Sequence, residues 1–127
     1  MKVEIIKKWG RRLTLKCSVG TFDALSGENE NFEVSKSYPC EIGFEEILKL
    51  GENMIPCDKK EKFNVESNDG VTTFTLFLEG VDEEKLCIFR LGSNIIMAMT
   101  ESVDAPVGKF YKVILPRNSV KIFNEYE

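Results

Sequence analysis

The chain has 127 residues, with 17 Lys plus Arg against 21 Asp plus Glu and no histidine, giving a net charge of −4. This length suits one folded domain over residues 1–127, large enough to bury a core without a metal or disulfide framework. With 43% hydrophobic and 30% charged residues it reads as neither disordered nor fibrous, and its longest apolar runs, such as Ile95 to Met99, fall far short of a membrane-spanning helix.

At the N-terminus Val3 and Ile5 alternate with Lys2 and Glu4, and Trp9-Gly10 supplies a tight turn into a second alternating run, Leu13, Leu15, Cys17 and Val19. These two segments predict a hairpin. Ser26 to Asn31 forms a polar loop tip, followed by a run in which Phe32, Val34, Tyr38, Cys40 and Ile42 share one parity. Pro39 in that run argues for an edge strand or a bulge. Phe44, Ile47 and Leu48 then stand at helical spacing with Gly51 where a C-cap would sit, so the one predicted helix covers Phe44–Leu50. Gly51 to Lys62 is a charged connection.

The second half predicts only strands. Phe63 and Val65 lead into a hairpin turn at Asp69-Gly70, followed by Val71 to Leu78, a turn at Gly80 to Glu83, and Leu86 to Phe89. Ile95 to Thr100, Phe110 to Leu115 and Val120 to Phe123 complete nine strand candidates. Short strands separated by turn signals indicate a mainly β domain: an antiparallel β-sandwich, or a partly open β-barrel with one short helix. A helix after the third strand would match the element order of the OB-fold, although nine strands exceed that fold's five.

Several chemistries are disfavoured. Without histidine no Ser-His or Cys-His nucleophile can be assembled, and no glycine pattern matches a phosphate-cradling loop. A non-catalytic role without a cofactor is therefore expected, with a carboxylate-based or partner-dependent enzyme as the third reading. Cys17, Cys40, Cys57 and Cys87 contain no C-x-x-C pair, so no metal site is expected. The charged segment Met1 to Gly10 lacks the apolar core of a signal peptide, which predicts a cytoplasmic protein with reduced thiols and no disulfide. Asp23, Glu28 and Glu30 with Asn29 and Asn31 do not match a calcium-loop spacing.

Two binding readings remain. Residues 1–22 contain six basic residues against Glu4 alone, a balance of +5, which leaves −9 on the remainder. An acidic surface speeds encounter with basic partners, so the leading expectation is a protein-binding module. Its most concrete form is a small acidic inhibitor or immunity-type protein covering a basic partner, with Glu28, Glu30, Asp82, Glu83 and Glu84 as contact residues. The alternative is an OB-like nucleic-acid-binding domain, in which Lys7, Lys8, Arg11 and Arg12 meet phosphates while Trp9 stacks on a base. That alternative requires Trp9 to be exposed rather than packed into the core beside its hairpin.

Overall fold

The computed structural model describes residues 1–125. Tyr126 and Glu127 lie outside them. Along the chain run β1 (Lys2–Trp9), β2 (Arg12–Cys17), β3 (Gly20–Ser26), β4 (Ser37–Phe44), β5 (Met54–Pro56), β6 (Asn64–Asn68), β7 (Val71–Val81), β8 (Leu86–Leu91), β9 (Asn94–Met99), β10 (Lys109–Pro116), a 3-10 turn at Arg117–Ser119, and β11 (Val120–Asn124).

Five of these strands close a barrel. β1 pairs antiparallel with β2, and β2 with β3; β3 then pairs parallel with β11, which returns antiparallel to β4, and β4 to β1. This closed circuit has the strand number of an OB-type barrel. Closure leaves β1 to β4 without the open edges that a sandwich would expose. Everything from 45 to 116 is an insertion between the fourth and fifth strands of the circuit. It contributes β7, paired with β6, β8 and β10, while β9 adds to β8 and β5 to β10. One continuous core joins barrel and insertion. At their junction the buried Phe74 ring meets Phe22 at 5.7 Å and Phe44 at 4.9 Å.

The segment read as a helix is not one. Phe44 is the last residue of β4, paired with Val120, and 45–50 runs irregularly with Leu48 buried and bridged to Thr100. A helix of two turns has little stability of its own. Here the backbone is held otherwise: the Asn53 side chain accepts the Lys49 N–H at 2.7 Å and donates to the Ile47 carbonyl at 3.2 Å. Pro39 also departs from expectation, since β4 is interior to the barrel. It sits where β4 changes partners, pairing with Lys2 of β1 just before the ladder to β11 begins at Cys40. Residues 32–36, expected as strand, are loop, with Phe32 buried against Tyr38 at 5.0 Å.

The hairpin turn predicted at Asp69-Gly70 formed, whereas the one expected at Gly80 to Glu83 begins later, because Gly80 and Val81 continue β7 and pair with Ile88 and Cys87. Asp69 and Gly70 both take positive φ, 53° and 80°, between β6 and β7, as a primed hairpin turn demands. A glycine also permits close approach at the start of β3: a Cβ on Gly20 would lie 1.9 Å from the Val65 carbonyl oxygen, where β3 meets β6.

All four cysteines are free thiols. Burial pushes Cys40 up to about 12 and Cys87 up to about 11, against an ordinary value of 9.0. Their folded-state values are raised, so the stability they lend is complete below the unfolded value and is lost as pH rises through the folded one. Urea unfolding at pH 8 and pH 10 should therefore show a loss of about 1 kcal/mol per buried thiol at the higher pH. The loss should shrink in the Cys40→Ala chain.

A groove around the β1–β2 hairpin

The functional geometry begins with a bulge. Val3 and Ile5 point into the core, and strict alternation would send Lys7 and Trp9 after them. The β1–β2 register instead shifts between Ile5 and Lys7. One extra residue, Ile6, reverses the parity of everything beyond it. Lys7 then lies opposite Thr14 and Trp9 opposite Arg12, and Thr14 in turn lies opposite Asp23 of β3. Cross-strand partners share a face, so Lys7, Trp9, Arg12, Thr14 and Asp23 stand together on the outer surface of the barrel.

The result is a groove of about 460 Å³ bordered by Trp9, Lys7, Arg12, Asp23, Val34 and Arg117. Trp9 is 87% exposed at the hairpin tip, so the core-packed alternative for this residue does not hold. The turn beside it is tight because Gly10 takes a φ of 60°, the conformation glycine adopts without cost. On the groove floor the Thr14 hydroxyl donates to Asp23 Oδ1 at 2.7 Å, and Arg117 Nη1 lies 3.9 Å from Asp23 Oδ2. The Asp23 backbone is fixed in turn: its N–H donates to Ser67 Oγ at 2.8 Å, and Thr72 Oγ1 donates to its carbonyl at 3.0 Å.

The four predicted cations divide. Lys7 and Arg12 border the groove with no intramolecular acceptor among the described hydrogen bonds and ion pairs. Lys8 also lines the groove, but its Nζ reaches back to donate to the Phe32 carbonyl at 2.9 Å. Arg11 turns away from the groove, donating through Nε and Nη2 to the Ser26 carbonyl at 3.2 and 2.8 Å. Arg117, far away in sequence, takes its place; it enters only because the 3-10 turn before β11 brings it against β3. Sequence reading had no signal for this residue.

Neither family models, curated proteins nor solved structures yield a match to this chain. Its chemistry is thus read from its own residues. The acidic candidates fall in two separate loops. Glu28 is exposed after β3, and Glu30 is half-buried with Oε1 accepting the Asn124 N–H at 3.1 Å. Asp82 is occupied in building the β7–β8 turn, its Oδ1 accepting the N–H groups of Glu84 and Leu86, both at 2.9 Å. Glu83 and Glu84 are exposed in that turn. None of the five borders the groove around Trp9. Among the described residues no helix is long and apolar enough to cross a membrane.

Proposed function

We propose that the chain is a non-catalytic module that binds single-stranded nucleic acid along the outer face of β1 to β3. The observation that carries this reading is the 87% exposed Trp9, set beside Lys7 and Arg12 on the same barrel face. An indole held out in water has a cost unless something flat covers it, and an unpaired base does so with about 1–3 kcal/mol of stacking energy. The cations on either side supply contacts to the flanking phosphates, and Arg117 extends that line toward β3. The place on the fold agrees with this use: OB-type barrels take oligonucleotides on the face of their second and third strands and on the loops that border it. Here those loops are the β1–β2 turn and the segment entering β11. The Asp23 carboxylate on the floor is already engaged by Thr14 and Arg117, which limits its repulsion of phosphate.

The groove cations and one stacked base give modest, salt-sensitive affinity, with Lys8 already engaged by the Phe32 carbonyl. With Lys7, Arg12 and Arg117 each meeting one phosphate, log K against log salt should have a slope of about −2 for a single strand. Titrating a mixed-sequence oligonucleotide and following quenching of the single tryptophan checks both features at once. Unchanged emission at low salt would remove the stacking contact and the reading with it.

A further inference from the structure

β9 is an edge strand, paired with β8 alone in an uninterrupted ladder. Its sequence, Asn94-Ile-Ile-Met-Ala-Met99, contains no charge and no proline, and its register contains no bulge, three devices that commonly protect a sheet edge. The hydrogen bonds at its end show which residues face outward. Thr100 N–H donates to Lys85, on the β8 side, whereas the Met99 carbonyl accepts from Leu48, on the far side. Alternation then directs the backbone N–H and C=O of Ile95 and Met97 away from β8. Their side chains are also exposed, at 49% and 54%.

The chain itself occupies the adjoining stretch of this edge. Leu48 donates to Met99 and accepts from Glu101, forming a parallel bridge to Thr100, and then the pairing stops. Next to the open stretch lies a cleft of about 490 Å³, with Asn94 to Met97 on one side and Cys40, Glu41, Ile42 and Glu125 on the other. Among the described residues no Lys or Arg side chain lines it. The Met1 amine at its edge donates to the Cys40 carbonyl at 2.9 Å and lies 3.7 Å from Glu125.

We infer that this cleft receives an extended peptide segment of a partner protein, which adds as a strand to Ile95–Met97 and places Lys or Arg against Glu41 and Glu125. Main-chain groups with no strand beside them call for another backbone, the exposed Ile95 and Met97 call for apolar side chains at alternate positions, and the carboxylate wall selects a basic segment. The inference concerns a surface other than the Trp9 groove and does not depend on the nucleic-acid reading.

The test uses a fluorescein-labelled, end-capped octapeptide of alternating Val and Lys, followed by anisotropy against the full chain. Saturable binding is expected. It should weaken at least tenfold with Met97→Pro, which deletes one outward N–H and spares the β8 ladder, and severalfold with Glu41→Gln plus Glu125→Gln. Methylating alternate backbone nitrogens of the peptide should abolish binding, a check that needs no protein variant. Trp9→Ala should leave peptide affinity unchanged, so failure here is separable from failure of the oligonucleotide reading. No binding at millimolar peptide, equal binding of the N-methylated peptide, or equal binding of a Val-Glu peptide would overturn the inference. So would a concentration-dependent dimer that Met97→Pro dissolves, because the edge would then belong to a second copy of this chain.

Discussion

Replacing Trp9 with alanine is expected to weaken single-stranded oligonucleotide binding about ten- to a hundredfold while leaving the unfolding midpoint where it is in the parent chain. The two halves of this expectation have one cause. With 87% of its surface in water, Trp9 contributes almost nothing to the core, so truncation creates no cavity. Whatever it contributes must therefore appear in a complex. Arg12→Ala and Lys7→Ala should each lower affinity severalfold and reduce the salt slope by about 0.7, the share of one phosphate contact to a single strand. Arg11 supplies an internal control. Its guanidinium is committed to the Ser26 carbonyl, so Arg11→Ala should leave affinity nearly unchanged although it lies two residues from Trp9. A simple count of local charge predicts equal losses at Arg11 and Arg12; the geometry predicts unequal ones.

The largest effect on stability is expected at Phe74. Its ring is fully buried where the barrel meets the insertion, against Phe22 of β3 and Phe44 of β4, while its backbone pairs with Val65 and Val113. Truncating a buried phenylalanine costs about 3–5 kcal/mol through lost transfer energy and the cavity left behind. That is a large share of the 5–15 kcal/mol that holds a typical domain folded. Phe74→Ala should thus lower the urea midpoint sharply, whereas Phe74→Leu should recover much of the loss. Because one core runs through both parts, unfolding of the variant should remain a single transition when followed by circular dichroism in the far ultraviolet and in the near ultraviolet, where the buried Tyr111 reports. Two separated transitions would mean that barrel and insertion unfold independently.

Much of this architecture was legible in the chain because one face of most strands is buried. Leu13 and Leu15 read as β2 for that reason, and Asp69-Gly70 named its hairpin through turn chemistry alone. β3 escaped notice because its inward residues, Phe22, Ala24 and Ser26, shrink from large to small to polar, while Leu25 lies on the other face. β5 is only three residues long, too short to show a period. The false helix arose from three apolar residues at the right spacing, two of which the fold uses quite differently: Phe44 ends a strand and Leu48 bridges to Thr100.

The site was legible in its residue types but not in its assembly. Four cations and a tryptophan in six residues marked the hairpin, yet the bulge at Ile6 sets Lys7 and Trp9 opposite Thr14 and Arg12, and no residue there announces it. Arg117 joins through tertiary structure alone. The acidic residues, expected as one contact surface, sit in two loops with different local duties: Asp82 shapes a turn, and Glu30 holds the β11 end.

The most direct test of the central claim is a map of amide shifts by nuclear magnetic resonance as a single-stranded oligonucleotide is titrated at low salt. Lys7 to Thr14, Asp23 and Arg117, together with the Trp9 indole N–H, should shift in a saturable manner, while Ile95 to Met99 and the Asp82 to Glu84 turn stay in place. Saturable shifts elsewhere with the β1–β2 hairpin unmoved, or no shifts at all, would contradict that claim.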